Sequence, residues 1–224
     1  MYRNGLLTLW AAFAVVALLA DRGHASAWEP VLTTSDGIQI FEKEETESGL
    51  IEFRGIGVVE APLPVVATVI FDTGRRQEWI KGLAESRILR WGGKDTYVEY
   101  DHIDMPIFFT DRDFVSKIRI RYDHSKKEMV FHYEPSDDPS APRTDYLRGE
   151  VLKMTFLLRS IDSDGKTQLE AEFLCDPKGW IPKWLVNFFV KDWPKTTMRS
   201  LRKEVLKSDI FIDARISELL HSVN

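Results

Sequence analysis

The chain has 224 residues and a formal net charge of −5, with 30 lysines and arginines against 35 aspartates and glutamates. A mildly acidic chain has no overall attraction for nucleic acid, so the composition argues against a nucleic-acid partner and implies that any membrane contact is local and apolar. The one cysteine, Cys175, cannot form an internal disulfide. The fold must therefore depend on its core, in which we expect Cys175 to be a small buried hydrophobe.

Residues 1–27 follow the order of a secretory signal peptide. Arg3 supplies a positive start, residues 6–20 carry no charge, and Ala25-Ser26-Ala27 forms a small-residue cleavage site. The uncharged run is short for a span of about 20 residues. The sequence therefore predicts export, to the periplasm if the source is a diderm bacterium. An uncleaved N-terminal segment that tethers the protein to the membrane is the alternative.

The rest of the chain predicts one domain over 28–207 and a helical tail over 208–224, because it contains no internal repeat or low-complexity linker. Two strands, at 38–42 and 50–60, are predicted to form a hairpin. Pro62 and Pro64 then open a helix, since proline is tolerated in a first helical turn. A short second helix runs to about Trp79.

An antiparallel meander follows, with strands predicted at 86–91, 96–103, 114–122, 129–133, 147–158 and 167–175. In the strand at 114–122, Ile118 and Ile120 share one face while Lys117 and Arg119 occupy the other. The strand at 96–103 is ambiguous, because both of its faces mix apolar and charged residues. A sheet with one apolar face needs a cover.

The predicted cover is the C-terminal helix. Its apolar residues recur at steps of three and four, at Val186, Val190, Trp193, Thr197, Leu201 and Val205. Pro194 lies inside this stretch and predicts a kink near Lys191 or a split into two helices. The tail extends the cover.

This order of elements is the helix-grip order, an α+β fold. The chain also resembles the START (StAR-related lipid-transfer) family in several segments, which follow the family's order from about Trp28 to Lys203: Phe71-Asp72 with Arg76 and Glu78-Trp79, Arg112-Asp113-Phe114-Val115, and Gly179-Trp180-Ile181-Pro182. The resemblance implies an exported, single-domain member of bacterial type. It further implies a curved antiparallel sheet wrapped around a long C-terminal helix, with an internal apolar cavity. Such a protein would bind one sterol, phospholipid or fatty-acyl lipid and carry or sense it, without chemistry or a cofactor.

Residues on the inward faces are the predicted cavity wall, and we expect about half of them to touch ligand: Phe114, Ile118, Ile120, Phe131, Tyr133, Leu152, Met154, Phe173, Val186, Phe189, Val190 and Trp193. Several family members carry a facing acid–arginine pair in the cavity. Asp101 matches the acid, but Ile118 occupies the arginine position. Arg148 is then the best remaining inward cation, and the hydroxyls of Ser116, Tyr133 and Thr197 are further polar anchors.

The resemblance places a gate at the loop 160–166, with Ile161 as its apolar residue, and at the start of the C-terminal helix. Trp184 and Phe188 are predicted to contact a membrane transiently at this mouth. Packing of these aromatics against the tail or a second subunit is the alternative, although we expect a monomer.

Two other classes of function remain open. A helix-grip enzyme of the cyclase or aromatase type would need acid or base groups in the cavity, for which the candidates are His102, Asp104, His132 and Tyr133. The chain carries no nucleophile triad spacing, phosphate-binding glycine loop or metal-ligand pattern. The third class is an interaction module whose cavity is incidental.

Overall fold

The computed structural model describes residues 27–45, 48–106 and 108–222. The predicted signal peptide lies outside these residues except for Ala27. Among the described residues, no helix is long and apolar enough to cross a membrane.

One curved sheet contains every strand of the described chain, in the spatial order β1-β2-β3-β10-β9-β7-β6-β5-β4. Neighbours on this path pair antiparallel, and β8 alone pairs parallel, with β6. The strands are β1 (Glu29–Thr33), β2 (Gln39–Glu45), β3 (Leu50–Val59), β4 (Leu83–Trp91), β5 (Thr96–Ile103), β6 (Arg112–Asp123), β7 (Glu128–Pro135), β8 (Leu147–Arg148), β9 (Glu150–Ile161) and β10 (Lys166–Asp176). This is the antiparallel meander that the sequence predicts.

Four α-helices and a short 3₁₀ helix cover the concave face: α1 (Leu63–Phe71), the 3₁₀ helix (Arg76–Glu78), α2 (Lys183–Lys191), α3 (Trp193–Glu204) and α4 (Ala214–His221). The predicted long C-terminal helix is split at Asp192, in agreement with the expectation from Pro194. Proline fits within the first turn of α3, where its missing N–H leaves no hydrogen bond unmade.

Helix α3 lies directly on β3 because two glycines remove the side chains that would keep them apart. A Cβ atom at Gly55 would lie 2.7 Å from the Cβ of Pro194, and one at Gly57 would collide with the sulfur of Met198. Met198 and Leu201, on the face of α3 that packs on the sheet, are fully buried. The close approach therefore fixes α3 as the permanent part of the cover.

Three local features differ from the sequence prediction. The edge strand β1 was not predicted, because it is mostly exposed and lacks a clear alternation. The predicted strand 147–158 is broken at Gly149, where a Cβ would lie 2.9 Å from the Cζ of Phe114. The tail forms a separate helix, α4, which begins at its own cap, since Asp213 accepts a hydrogen bond from the N–H of Arg215 at 2.7 Å.

Candidate functional site

Two adjoining cavities lie between the sheet and its helical cover. The inner cavity has a volume of about 80 Å³ and the outer cavity about 180 Å³. They share part of their wall, formed by Ile80, Ile103, Phe114, Phe173 and Trp193. The Phe173 and Trp193 rings stack with centroids 4.5 Å apart. Apolar side chains thus form a continuous lining from the interior toward the surface.

Nine of the sixteen predicted contact residues line these cavities: Asp101, Phe114, Tyr133, Met154, Phe173, Val186, Phe189, Val190 and Trp193. Others lie outside the lining and are buried in the protein interior instead, namely Ser116, Ile118, Ile120, Phe131 and Thr197. Alternation correctly identifies the inward face of a strand. It does not reveal how far along the strand the cavity ends and solid packing begins.

A β-bulge changes which residues of β9 face inward. The pairing of β9 with β10 skips Leu152, so that Val151 rather than Leu152 lines the inner cavity. Leu152 instead packs beside Leu50 and Val186. The predicted wall position of Leu152 is therefore wrong, because one extra residue reverses the alternation.

Arg148 is an exposed residue and not an inward cation. Its Nε donates to Oδ1 of Asp113 at 2.7 Å and its Nη2 to Oδ2 at 3.0 Å, forming a two-point ion pair. Thr144 also donates to Asp113, at 2.7 Å. The prediction is wrong because the break at Gly149 ends the alternation on which it rested. Arg148 secures the loop before β9.

The buried cation of the inner cavity is Arg76, on the 3₁₀ helix. It is 4 % exposed and donates to the carboxylate of Glu99 and, at 2.8 Å, to the carbonyl oxygen of Ile70. Its Nη1 also lies 3.9 Å from Oδ1 of Asp101. An acid–arginine arrangement is thus present, although the arginine comes from a helical segment and not from the strand position that Ile118 occupies.

The strand β5 presents Tyr97, Glu99 and Asp101 to the interior, which resolves its ambiguous pattern. Burial raises the pKa of Glu99 to about 8, because the loss of water outweighs the attraction of Arg76. Burial likewise raises the pKa of Tyr133. Four polar atoms here have no hydrogen-bond partner among the described residues: the hydroxyls of Tyr97 and Tyr133, one carboxylate oxygen of Glu99, and Oδ1 of Asp101.

Unpaired buried polar atoms are unfavourable unless something bonds to them. We call Arg76, Tyr97, Glu99, Asp101 and Tyr133 the polar cluster. Its members Arg76, Asp101 and Tyr133 line the inner cavity and can offer both donors and acceptors to one polar group of a ligand. Arg76 lies in one of the segments that resemble the START family, but the sequence alone did not predict a role for it. An arginine between two apolar helical segments was the available signal.

The outer cavity reaches the surface between α2, the turn before it, and the loop residues 104–106 and 108–111. Met105, Ile181 and Phe189 line this end together with the exposed Lys81. Besides Phe189, which lines the cavity, four large aromatic side chains stand exposed on the same segments, namely Phe108, Trp180, Trp184 and Phe188. We call these four the mouth aromatics. The predicted membrane-contact residues Trp184 and Phe188 belong to them.

The predicted gate residue Ile161 is far from this mouth. Ile161 ends β9, whereas the cavity residue Val151 lies near the start of the same strand. Ten residues of strand separate them, or about 33 Å. The structure therefore does not bring Ile161 to the mouth, because Ile161 lies at the opposite end of the β9–β10 hairpin. The loop residues 104–106 and 108–111 and α2 border the mouth instead.

Of the four enzyme candidates, Tyr133 lines the inner cavity, whereas His102, Asp104 and His132 line neither cavity. His132 points away from the cavity and lies 3.5 Å from the hydroxyl of Thr155. A cluster of three possible metal ligands lies where β5 ends and the loop that borders the mouth begins and ends. The ligand atoms of His102, Asp104 and Asp111 lie within 4.8 Å of one another there. Three such atoms could hold a metal ion, a possibility that the sequence pattern did not reveal. Hydrogen bonding from the N–H of Met105 to Asp111, at 2.8 Å, already accounts for the cluster as a brace of the loop.

A larger groove of about 730 Å³ lies elsewhere, beside α4 on the ends of β6 and β7. Charged residues such as Lys94, Asp123 and Glu128 form much of its lining, and it is open to solvent. It lacks the enclosed apolar wall that a hydrophobic ligand requires. We therefore assign the candidate site to the inner and outer cavities.

Residues 16–203 match the family model of the START domain. The chain belongs to the START domain family. The fold agrees with solved structures: human STARD10 superposes with a TM-score of 0.73 at 18 % identity, over 81 % of this chain and 74 % of that chain. A STAR-related lipid transfer protein from Xanthomonas axonopodis superposes with a TM-score of 0.70 at 22 % identity, over 80 % of this chain and 99 % of that chain.

Sequence relatives cover nearly the whole chain. An uncharacterized protein of Pseudomonas aeruginosa is 26 % identical over 91 % of this chain and 99 % of its own length. The human phosphatidylcholine transfer protein is 27 % identical over 87 % of this chain and 94 % of its own length. The START assignment thus rests on the domain as a whole and not on a single motif.

Proposed function

We propose that this START protein binds one lipid in the inner and outer cavities and carries it between membranes, without chemical conversion. The observation that carries the proposal is the apolar channel that ends at a polar cluster. Relatives named as a phosphatidylcholine transfer protein and as lipid transfer proteins support the same class of function. The polar cluster would bond to the lipid's polar group while the aromatic and aliphatic wall holds its chain.

The cavities must enlarge to hold a whole lipid. Their volumes of about 80 and 180 Å³ fall below the roughly 300–1,000 Å³ of typical ligand pockets. Helix α2 is the element best suited to move, because Val186 is its only fully buried residue and it is separated from α3 at Asp192. Displacement of α2 would open the outer cavity while α3 stays on β3.

The mouth aromatics are suited to contact a bilayer during exchange. Trp184 and Phe188 are 70 % and 68 % exposed, and Phe108 is 94 % exposed. Such side chains are favoured at the boundary between headgroups and hydrocarbon. We infer that the protein is exported and that it is a monomer. We also infer that it contacts the membrane through this surface. The export proposal rests on the N-terminal pattern of residues 1–27.

A non-enzymatic role fits the composition of the polar cluster. Neither His102 nor His132 lines the cavities, so the cluster lacks an imidazole that could shuttle protons. Glu99 and Asp101 face Arg76 and can act as hydrogen-bonding partners for a hydroxyl or headgroup.

The decisive experiment is native mass spectrometry of the purified protein after incubation with vesicles, followed by extraction and identification of the bound lipid. We expect one unmodified lipid per protein and movement of that lipid from donor to acceptor vesicles. Bound molecules that leave chemically changed would support the enzyme class instead. A protein that takes up no sterol, phospholipid or fatty acid would refute the proposal.

A further inference from the structure

We propose that the mouth docks selectively on anionic membranes, through three lysines that surround the mouth aromatics. This inference rests on the proposed membrane contact and adds the chemistry of the membrane. Lys183 and Lys191 occupy the two ends of α2, the helix that carries Trp184 and Phe188. Lys81 stands at the opening of the outer cavity. All three side chains are exposed.

Within the part of the chain that the structure describes, these lysines form no ion pair. Among the described residues, none of the three has a carboxylate oxygen within 4.0 Å of its ammonium nitrogen. Three exposed ammonium groups without an ion pair among the described residues therefore lie around the mouth, although the chain as a whole carries a charge of −5.

The nearby acidic groups have their own partners. Asp176 pairs with Lys178 at 3.0 Å, and Asp192 pairs with Lys195 at 2.7 Å. Asp111 lies 3.3 Å from the imidazole of His102. Asp176 also attracts Lys183 from beyond ion-pair distance. The three ammonium groups nevertheless stay exposed to a partner outside the protein.

The position of Lys183 is a second argument for an external partner. It is the first residue of α2, and the first turn of that helix contains no acidic residue. A cation at this end is opposed by the helix dipole, so Lys183 does not help the helix to form. An anionic headgroup at the same place would interact favourably with both the lysine and the helix terminus.

Lysines beside exposed aromatics combine two signals that together give stable but reversible membrane binding. The aromatic rings enter the interface, and the ammonium groups meet the headgroups of anionic lipids. Each lysine near such a surface contributes about fivefold to the binding constant, so three contribute about 100-fold. Bulk salt weakens this part because it screens exposed charges. The aromatic part is insensitive to moderate salt.

The test is vesicle co-sedimentation of the purified protein with phosphatidylcholine alone and with phosphatidylcholine partly replaced by phosphatidylglycerol. The variant Lys81→Gln/Lys183→Gln/Lys191→Gln should lose about 100-fold in affinity for the anionic vesicles and become indifferent to vesicle charge. The matched control Lys94→Gln/Lys126→Gln/Lys203→Gln makes the same change in net charge away from the mouth. It should bind like the wild type.

Two results would overturn the proposal. Equal binding of the wild type to neutral and anionic vesicles would remove the charge selectivity, while leaving the apolar docking intact. Equal losses in both triple variants would assign the effect to net charge and not to the mouth.

Lipid uptake from detergent-solubilised lipid, read by native mass spectrometry, separates this inference from the proposed function. The double variant Lys183→Gln/Lys191→Gln, which leaves the lining of both cavities unchanged, should still take up lipid. If the wild type takes up none, the proposed function itself fails.

Discussion

Val190→Trp should block the outer cavity and weaken lipid binding without unfolding the protein. Val190 lies on α2 and lines the cavity of about 180 Å³ together with Phe189 and Trp193. An indole in place of an isopropyl group would displace about three methylene groups of the ligand. At about 0.8 kcal/mol for each buried methylene, binding weakens by about 2.4 kcal/mol, or about 60-fold. Because the ring enters existing space, the melting temperature should change little.

The assay is competition between a fluorescent lipid analogue and unlabelled lipid, with thermal unfolding recorded on the same samples. Val130→Trp is the matched control, since it makes the same substitution on β7 on the face away from the cavities. We expect the control to bind like the wild type. If both variants keep wild-type affinity, the ligand does not occupy the outer cavity and the reasoning from its lining is refuted.

Three other perturbations test separate parts of the structure. Glu99→Gln should flatten the pH dependence of stability, because the pKa of Glu99 is raised from 4.5 to about 8 in the folded protein. Between these two pH values the folded protein holds one more proton than the unfolded chain. Its unfolding free energy therefore falls as the pH rises, by about 1.4 kcal/mol per pH unit. Urea unfolding from about pH 5 to about pH 8 checks this, and parallel curves for both proteins would contradict it. Gly57→Ala should lower the unfolding free energy by about 1–3 kcal/mol, because its methyl group meets the sulfur of Met198; Gly93→Ala, in a surface turn, is the control. Met105→Ser should alter the rate of lipid transfer between vesicles whereas Ile161→Ser should not, and a larger effect at Ile161 would return the gate to the β9–β10 turn.

Periodicity was sufficient for the strands and helices that have one apolar face. It located β6, β7 and β10, and Pro194 marked the division between α2 and α3. The reason is that burial of one face is a local property, repeated every two or nearly four residues. The same property explains why eight of the predicted wall residues do line a cavity.

The polar part of the site was harder to predict, because it depends on contacts between distant segments. Arg76 and Glu99 are brought together only when the 3₁₀ helix packs on β5. The acidic residues Glu99 and Asp101 made β5 look in sequence as though it had no inward apolar face. The predicted inward position of Arg148 was wrong for a local reason. The strand is interrupted at Gly149, so Arg148 does not follow the alternation of β9. Long-range pairing and local breaks are not contained in a two-residue period.

The depth of the polar cluster imposes an order on transfer. Arg76 and Asp101 belong to the inner cavity, whereas Met105 and Ile181 border the mouth. A lipid held as proposed would enter with its polar group leading and would leave with its hydrocarbon end leading. The chain could then rejoin the bilayer interior before the headgroup breaks its last hydrogen bonds. During release, each methylene group that leaves the protein would already be in contact with the hydrocarbon of the membrane.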